Sequence, residues 1–576
     1  MVENSKRKLY DGYQINDFRE LINVRYTMFK DKNAFEYRLK PDSEIIKVTY
    51  ADYINDIKAL GTALLNLGLE KKRIALIAPN RYEWCVSYLA VTTSNIVVVP
   101  LDKSLPDNEI ESLIIRSKVD GVIFDKKYLD VFNNIKNNNT SNLTTYICMD
   151  YSEDKDNILS YPKLINNGAK LLANGDKKYD NITIDNTAMS IMIFTSGTTS
   201  ISKAVMLSQK NICSDIYSLS CMAKVTSNDK FLSFLPLHHT FESTCTFLYG
   251  TSAGITVVFT DGLKYIVKNL KEYEITGFVC VPLVLETIYK KINKEIEKQG
   301  KTKLIKFARK FSNFLLKFHI DIRKKIFKPI LDQLGGKLNI LIAGGAPMDK
   351  EAISAFVDFG INLLQGYGLT ETSPVAAGEN DKYKRAGSVG FPLPNIDIEI
   401  DNPDEDGVGE IIIKAPTVML GYYENPEATD SVLRDSWFHT GDLGKFDEDG
   451  FLFVTGRKKF VIVLKNGKKV FPEEVEILIN KLPFVQESMV YGLPDRDNDV
   501  KLCAKIVYNP DTMKELYPAS RESDYKKLIK DQIKKINHTM PAYKYIRDII
   551  ITTEPLIKTT TQKIKRNEEM KKIIGK

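Results

Sequence analysis

The chain has 576 residues, of which 43% are hydrophobic and 27% are charged, as is typical of a soluble globular protein with ample material for a large core. Its net charge of +7 by itself indicates neither a nucleic acid nor a membrane as partner. No apolar run approaches the roughly 18 residues of a membrane span, and the amino terminus has no apolar signal core. Seven scattered cysteines without a CxxC pair favour reduced thiols in a cytoplasm over a disulfide framework or a zinc site.

Apolar segments of strand length alternate with helical segments through the first part of the chain. "RIALIAPN" (73–80) predicts a buried strand and "RYEWCVSYLAVTTS" the helix after it, and further strands are predicted at 95–102, 121–125 and 144–150. The Asn-rich stretch 133–142 predicts a surface loop. This alternation is typical of an α/β protein with mostly parallel sheets.

The pattern changes past residue 386. Short β-like segments such as "GEIIIKAP" and "FVIVLKNGKKV" follow one another, and "YKKLIKDQIKKINHTM" predicts an amphipathic helix. We therefore expect a small α+β domain that begins near Gly456.

A hydroxyl-rich segment follows the predicted strand 189–194. Five Ser or Thr residues and Gly197 occupy positions 195–200, and Lys203 follows. Backbone N–H groups, hydroxyls and one cation bind phosphate well, whereas the alternative is an ordinary Ser/Thr-rich turn. The segment is not a Walker A loop. Ser202 occupies the position of the second glycine of that motif, and Ala204 the position of the Ser or Thr after the lysine.

Four further motifs carry candidate nucleotide-binding residues. A Gly-Gly-Ala-Pro turn lies in 335–351, where small residues let a flat ring approach the backbone. "QGYGLTETSPV" places Tyr367 between two glycines, ahead of a threonine suited to phosphate and of Glu371, suited to Mg²⁺. Asp442 is placed to accept from ribose hydroxyls, and Lys563 lies in a polar loop near the end. Each has an ordinary alternative, as core aromatic, turn residue or solvated charge, but their combination in this order indicates a nucleotide site.

In this order, the motifs resemble those of the adenylate-forming superfamily of acyl-CoA synthetases, luciferases and peptide-synthetase adenylation domains. The resemblance runs from about residue 10 to residue 570 and is greatest to the long-chain fatty acid–CoA ligase branch. It implies a large N-terminal domain, 1–456, of α/β subdomains with mostly parallel sheets and a β-rich subdomain. A small mobile C-terminal α+β domain, 457–576, would follow, with a hinge near Lys459.

The resemblance implies two half-reactions. A fatty carboxylate attacks the α-phosphate of Mg·ATP to give acyl-AMP and pyrophosphate, and the thiol of coenzyme A then displaces AMP. Fatty acid, ATP, Mg²⁺ and coenzyme A are the expected ligands. Two alternatives stay open: a fatty acyl-AMP ligase or acyl-carrier-protein synthetase with another acceptor thiol, and a non-catalytic acyl- or nucleotide-binding relative.

Residue roles are implied in the same way, motif by motif. Lys563 would bridge the carboxylate and the α-phosphate, and Thr195 and Glu371 would hold Mg²⁺. His239 would lie near the acyl carboxylate, beside a supporting or core His238, and Lys459 would be the pivot. The remaining nucleotide and coenzyme A contacts implied are Thr195, Ser196, Gly197, Thr198, Thr199, Lys203, Gly345, Ala346, Pro347, Gln365, Gly366, Tyr367, Gly368, Thr370, Asp442, Arg457, Gly467 and Lys468.

Four positions depart from the pattern of the family. Ser200, Ser202 and Ala204 replace glycine, proline and glycine in the phosphate loop, and Gln562 replaces the glycine before the terminal lysine. The two key lysines of these loops are in place, so the enzyme interpretation is kept.

The segment Lys290–Lys328 has 14 Lys or Arg residues against three acids, interleaved with Phe, Leu and Ile. Such a stretch fits the surface of an anionic membrane, and the alternative is a helical pair with a solvated basic face. It resembles an insertion of long-chain ligases, which favours long-chain acids as substrates. We therefore expect a cytoplasmic protein with no nucleic-acid partner, and peripheral contact of 290–328 with the inner face of a membrane stays open beside the solvated basic face.

Overall fold

The protein is described here by a computed structural model that covers residues 4–195, 202–346, 348–465, 468–495, 500–559 and 563–575. Its internal contacts divide the chain into two compact units. The first comprises Met1–Gly345, Lys350–Asp397 and Ile413–Phe438, and the second comprises Ala346–Asp349, Ile398–Ile412 and His439–Lys576. The expected boundary at residue 457 stays a prediction, since the second unit also includes strands ahead of it.

Two large sheets form the frame of the first unit. The first sheet has eight strands, in the spatial order Gly421–Tyr422, Lys203–Ser208, Met189–Thr195, Val97–Pro100, Arg73–Ile77, Gly121–Phe124, Thr145–Cys148 and Leu159–Ser160. The six strands from Met189–Thr195 to Leu159–Ser160 are parallel to one another, and the three predicted strands at 73–80, 95–102 and 121–125 lie side by side among them. The Val- and Ile-rich runs are buried because helices cover a parallel sheet on both faces.

The second sheet of this unit has nine strands. Their spatial order is Phe391–Pro392, Val375–Gly378, Asn362–Gly368, Ile340–Gly344, Gly277–Cys280, Lys230–Ser233, Thr256–Phe259, Asn33–Tyr37 and Ile46–Thr49. Five consecutive strands, from Asn362–Gly368 to Thr256–Phe259, are parallel to one another. The mixed α/β class with mostly parallel sheets, predicted from the sequence, is confirmed.

Helices connect and cover these strands. The α-helices of the first unit are Asn4–Arg7, Phe18–Phe29, Tyr50–Asn66, Tyr82–Thr92, Asp107–Ser117, Leu129–Asn138, Tyr161–Ala173, Lys178–Asn181, Gln209–Ser220, Thr240–Glu242, Tyr249–Ala253, Ile266–Glu272, Pro282–Lys298, Thr302–Leu316, Arg323–Ile326, Lys328–Gln333, Lys350–Asp358 and Pro426–Val432. Across the described ranges, we find no helix that combines the length and the apolarity needed to cross a bilayer.

One prediction is wrong at the Asn-rich stretch 133–142. The helix Leu129–Asn138 covers most of it, because Val131, Phe132 and Ile135 fall on one helical face and are buried in the core. The polar residues occupy the opposite face, and Asn139 ends the helix in the left-handed conformation with φ of 50°. The asparagine-rich composition predicted a loop, although the apolar residues have the spacing of a short amphipathic helix.

In its described residues, the second unit combines small sheets with four α-helices, as expected for an α+β domain. Its antiparallel strands include Trp437–Phe446, which begins in the first unit, and Leu452–Arg457. A hairpin of Ile462–Val463 and Lys469–Val470 follows, and then a three-stranded sheet of Val485–Pro494, Val500–Tyr508 and Ile546–Thr552. The helices are Pro472–Asn480, Pro510–Leu516, Glu522–Asn537 and Arg566–Ile574. The helix Glu522–Asn537 confirms the amphipathic helix that "YKKLIKDQIKKINHTM" predicts.

Among the residues that the structure describes, two carboxyl groups are buried inside the first unit without a charged partner beside them. Glu242 precedes a π-helical turn, Ser243–Leu248, and its Oε2 accepts a hydrogen bond from the Thr246 hydroxyl at 3.0 Å. Burial raises the pKa of Glu242 to about 8. Burial also raises the pKa of Asp215 well above its ordinary value. Both groups are therefore kept protonated in the folded protein near neutral pH.

We expect this arrangement to make the protein less stable as pH rises from about 5 to 8. An unfolded glutamate releases its proton near its ordinary pKa of 4.5, whereas folded Glu242 keeps it to about 8. One such group lowers the free energy of unfolding by up to about 1.4 kcal/mol per pH unit over that interval. Urea unfolding at several pH values measures the slope, and Glu242→Gln should flatten it.

The exposed Glu297→Gln is the matched control and should leave the slope unchanged. A Glu242→Gln variant with the slope of the parent protein would contradict a buried, protonated Glu242.

Candidate functional site

The hydroxyl-rich segment begins and ends on two strands that pair with each other. Met189–Thr195 and Lys203–Ser208 are antiparallel neighbours, and Thr195 lies opposite Lys203. The Thr195 hydroxyl donates to the Lys203 carbonyl at 3.4 Å. The predicted phosphate contacts Ser196, Gly197, Thr198 and Thr199 lie outside the described residues, as does Ser200. The strands thus bring the two ends of the segment together.

The departure from the family pattern at Ser202 has a local structural reason. Arg116 donates from Nη1 to the Ser202 hydroxyl at 3.0 Å and from Nη2 to its carbonyl at 2.5 Å. The guanidinium also lies over the Phe194 ring, 5.2 Å from its centroid. A proline at position 202 would lack the hydroxyl that receives the first of these bonds.

A tyrosine that the sequence analysis missed links Lys203 to Glu371. The Tyr422 hydroxyl donates to Glu371 Oε1 at 2.9 Å, and the Lys203 ammonium lies 4.6 Å from the centroid of the same ring. The ring thus contacts both predicted site residues. No sequence signal identifies Tyr422, because "GYYENPEAT" is an ordinary turn-and-helix sequence far along the chain from both partners.

Backbone pairing fixes this tyrosine. Gly421–Tyr422 forms an edge strand on Lys203–Ser208, with Tyr422 opposite Val205. Just ahead of it, the Met419 N–H donates to the Glu371 carbonyl at 2.9 Å. Glu371 itself lies in the short 3-10 turn Thr370–Thr372, directly after the strand that carries Tyr367. Three segments distant in sequence therefore converge at one strand edge.

The predicted adenine residues lie on or next to parallel strands of the nine-stranded sheet. Gln365 is buried, and its backbone N–H donates to Glu379 Oε2 at 3.0 Å, while its Nε2 has no hydrogen-bond partner among the described residues. Tyr367 and its flanking glycines, Gly366 and Gly368, are partly exposed. Gly368 tolerates no side chain, since a Cβ there would lie 1.8 Å from the Pro374 carbonyl oxygen.

The glycine-rich turn follows the neighbouring strand, Ile340–Gly344. Gly345 has a φ of +83°, which favours glycine, and both Gly345 and Ala346 are exposed. Pro347 lies outside the described residues. The exposed small residues leave the backbone of this turn accessible, and the approach of a flat ring here stays a prediction.

Of the two adjacent histidines, His238 is buried and His239 is partly exposed. Burial, with a smaller contribution from the charge of Lys103, lowers the pKa of His238 to about 3. Its Nε2 is 3.6 Å from Asp102 Oδ2, and the two imidazole rings are 4.7 Å apart. Neutral His238 is thus a core residue, one of the two roles predicted for it.

In the second unit, the two predicted ribose residues form an ion pair. Asp442 and Arg457 lie opposite each other on the antiparallel strands Trp437–Phe446 and Leu452–Arg457. Arg457 Nε is 2.6 Å from Asp442 Oδ1. The carboxylate is almost fully buried, whereas about a third of the arginine side chain is exposed. The pair leaves part of the arginine side chain accessible.

The hinge and the loop expected to face coenzyme A follow directly. Lys459 lies in the 3-10 turn Lys458–Phe460, with its ammonium 4.6 Å from the centroid of the Phe460 ring. Lys468 lies over Tyr543, 4.5 Å from that centroid, and Gly467 is outside the described residues. These contacts keep both lysines at the surface of the second unit.

The terminal lysine lies in a loop whose base is tied down. Lys563 is exposed, and its backbone exchanges hydrogen bonds with Thr559: the Thr559 N–H donates to the Lys563 carbonyl at 2.8 Å, and the Lys563 N–H donates to the Thr559 hydroxyl at 3.1 Å. Gln562 lies outside the described residues. The loop therefore presents Lys563 to solvent from a fixed base.

A buried ion pair stabilises that base. Glu569 accepts from the Ile557 N–H at 2.7 Å and from the Lys505 ammonium at 2.7 Å, and the side chains of both charged residues are almost completely buried. Arg566 donates to both carboxylate oxygens of Glu476, at 2.7 and 2.6 Å. Sequence analysis missed these pairs, because the partners come from separate elements.

A further polar cluster, of Asp401, Glu410 and His439, also lies in the second unit. One ligand atom of each lies within 4.8 Å of the others, the arrangement a metal ion would need. Lys458 donates to Glu410 Oε2 at 2.9 Å. Burial opposes ionisation of Glu410, but the hydrogen bond and the charge of Lys458 together favour it. The pKa of Glu410 therefore lies below its ordinary value. The positive charge at this cluster is supplied by the protein itself.

Comparison with known proteins identifies the family. The family model described as AMP-binding enzyme matches residues 24–423, and that of the AMP-binding enzyme C-terminal domain matches residues 459–573. The chain belongs to the AMP-binding enzyme family.

Relatives of this AMP-binding enzyme include fatty acid ligases. Long-chain-fatty-acid–CoA ligase 5 of Mus musculus is 28% identical over 92% of this chain and 83% of its own. The chloroplastic long-chain-fatty-acid–acyl-carrier-protein ligase AEE15 of Arabidopsis thaliana is 28% identical over 91% and 81%.

Solved structures of the same fold include an anthranilate CoA ligase in complex with anthranoyl-AMP, with a TM-score of 0.75 and 19% identity over 98% of both chains. ATP-bound MatB from Rhodopseudomonas palustris has a TM-score of 0.72 and 23% identity over 96% of this chain and 99% of its own. At these identities the likeness confirms the fold, a mixed α/β body with a β-rich region and a small C-terminal domain.

We expect Glu569→Gln to destabilise the loop that carries Lys563. The substitution leaves the buried Lys505 ammonium without its counter-charge, which costs about 3–5 kcal/mol at fully buried pairs. Hydrogen exchange at residues 556–559 and 563–566, with urea unfolding, measures the effect.

Glu568→Gln is the matched control, since Glu568 is half-exposed and pairs with Lys565 on the surface at 3.1 Å. Equal protection in the two variants would show that the buried pair does not hold the loop.

Proposed function

We propose that this protein is a long-chain fatty acid–CoA ligase that forms acyl-AMP from ATP and transfers the acyl group to coenzyme A. The observation that carries the proposal is the convergence of Lys203, Tyr422 and Glu371 at the strand edge where the hydroxyl-rich segment begins and ends. The names of the relatives, which include fatty acid ligases from a mouse and a plant, support the substrate class.

The proposed reaction requires positive charge at defined places in the site. A carboxylate that attacks a phosphate brings two anions together, so the site must neutralise and orient them. Lys203 and the hydroxyls from Thr195 onward would bind the β- and γ-phosphates. Lys563 would bridge the incoming carboxylate and the α-phosphate during the first half-reaction.

The carboxylate of Glu371 fits a hard cation such as Mg²⁺, because Tyr422 orients it through one oxygen and the residue is only partly buried. Glu371 and Thr195 would hold the ion, which would add positive charge next to the phosphates. Oxygen ligands of this kind are what Mg²⁺ takes in nucleotide sites.

The nucleoside would be bound by residues of two kinds. Tyr367 would stack on adenine, with Gly345 and Ala346 allowing close approach, and the side-chain oxygen of Gln365 would accept from the exocyclic amino group. Asp442 would accept from the ribose hydroxyls and Arg457 would orient it, since the two side chains are already paired. His239 would lie near the acyl carboxylate.

The acceptor thiol has a second candidate. One relative is named as an acyl-carrier-protein ligase, so a carrier protein could replace coenzyme A in the second half-reaction. Both versions use the same adenylation residues. A panel of carboxylic acids scored by pyrophosphate release tests the acyl chain length, and the dependence of AMP release on coenzyme A or on acyl carrier protein tests the acceptor. If no acid in the panel gives pyrophosphate release, the remaining interpretation is that the protein is a non-catalytic relative.

We expect Glu371→Gln to abolish pyrophosphate formation in a folded protein, because the metal loses its charged ligand. Tyr422→Phe should retain the carboxylate and lose only its orientation, so its rate should fall by about tenfold, the value of one hydrogen bond of roughly 1.5 kcal/mol. A Mg²⁺ titration of pyrophosphate release measures both. Near-normal activity of Glu371→Gln would remove the residue from the metal site.

We expect Lys563→Ala to block the first half-reaction by orders of magnitude and to spare the second. The lysine offsets repulsion between two anions, and that repulsion no longer exists once acyl-AMP has formed. Pyrophosphate release from ATP and fatty acid, and thioester formation from supplied acyl-AMP and coenzyme A, measure the two steps separately. A proline at Lys459 should do the reverse if this residue is the pivot.

Lys565→Ala, two residues away, is the control and should leave adenylation unchanged. Equal loss of both half-reactions in Lys563→Ala would overturn a role confined to adenylation.

A further inference from the structure

The helix Thr302–Leu316 turns an apolar stripe to solvent. Four phenylalanines and one leucine, spaced three and four residues apart, lie on one face and are exposed by 44% to 66%: Leu304, Phe307, Phe311, Phe314 and Phe318, the last just past the helix. Phe307 and Phe311 stack with ring centroids 6.1 Å apart, and Phe314 meets Phe318 edge-on at 5.2 Å. Isolated exposed apolar residues are normal, but a contiguous row marks an interaction surface.

The opposite face of this helix is fixed to the first unit. Arg309 Nε is 2.7 Å from Asp358 Oδ2, and Asn313 donates to Asp358 Oδ1 at 2.8 Å. Ser312, between them, is completely buried. These contacts hold the helix on Lys350–Asp358, so the orientation of the stripe is set by the fold.

Lysines form one edge of the stripe. Lys303, Lys306, Lys310 and Lys317 are exposed and follow one another at helical spacing, beside the phenylalanines. The segment 302–320 contains no Asp or Glu. The neighbouring helix Pro282–Lys298 differs, because its apolar residues Leu285, Ile288 and Ile292 are buried. The basic segment 290–328 thus combines a helix with a buried apolar face and a helix with an exposed one.

We infer that this lysine-edged stripe, 302–320, is a docking surface for a lipid bilayer with anionic headgroups. Phenylalanines that enter the acyl boundary and lysines that stay among phosphates are the pattern of a helix lying in a membrane interface. A bilayer supplies an apolar layer and negative charge side by side, which matches the side-by-side order of the stripe and its edge. A second copy of the chain would bring lysine edges of the same sign together. The inference does not depend on the reaction proposed above.

Flotation of the full-length protein with vesicles tests it. We expect binding to phosphatidylcholine vesicles that contain phosphatidylglycerol, weak binding to pure phosphatidylcholine, and release as salt rises. Phe307→Ser, Phe311→Ser and Phe314→Ser together should weaken binding by at least about tenfold. Lys303→Gln, Lys306→Gln and Lys310→Gln together should weaken it on the order of a hundredfold at low salt.

Lys526→Gln, Lys527→Gln and Lys530→Gln provide a charge-matched control, because these lysines are exposed on another helix, Glu522–Asn537. They should have little effect. A Phe311→Trp variant should show a blue shift of its emission on anionic vesicles, whereas Leu39→Trp, at a 78% exposed leucine elsewhere, should not. Thermal unfolding of each variant confirms that it is folded.

No binding at low salt, or binding that the phenylalanine variants do not weaken, would overturn the inference. Self-association that depends on the phenylalanines, without vesicle binding, would assign the stripe to a second copy instead. Pyrophosphate release from a soluble acid should stay unchanged in the stripe variants, so a failed vesicle assay and a failed activity assay remain distinguishable.

Discussion

The pairing of Gly421 and Tyr422 with the strand Lys203–Ser208 is the contact on which the phosphate end of the site depends. These two residues come from a segment more than 200 positions later in the chain, and they join the sheet only as an edge strand. Through this pairing, one phenol ring lies against the Lys203 ammonium and donates to Glu371. The same ring thus contacts a cation and a carboxylate from two distant segments.

In the second unit, charged side chains are buried in ion pairs with one another. Lys505 with Glu569 and Arg566 with Glu476 are buried as pairs beneath the terminal loop, where an unpaired charge would be costly. Lys563, in the same loop, is exposed. The buried pairs hold the backbone that flanks this loop, and the lysine expected to act chemically remains at the surface.

The helix Thr302–Leu316 reverses the usual order of an amphipathic helix. Its polar residues Arg309, Ser312 and Asn313 face the protein, and its phenylalanines face solvent. Hydrogen bonds to one carboxylate, that of Asp358, can hold a helix in place without burying its apolar face. An amphipathic pattern in a sequence therefore does not by itself reveal which face is inside.

The sequence by itself determined the fold class and the elements with strong local patterns. The strands at 73–80 and 121–125 and the amphipathic helix near the end follow from runs and spacings of apolar residues, which local chemistry dictates. The motif order was enough to indicate the family, because each motif places its functional residues within a few positions of one another. The helix at Leu129–Asn138 was missed where three buried apolar residues were hidden among asparagines.

Only the tertiary structure decided which distant residues meet. Tyr422 beside Lys203, Arg116 on Ser202 and Lys505 beneath the terminal loop are brought together by strand pairing and helix packing, and no residue near them in sequence signals the contact. The same holds for the outward face of Phe307 and Phe311, which depends on a carboxylate in another helix. Local sequence fixes periodicity, whereas the partner of each face is chosen by the packing of the whole chain.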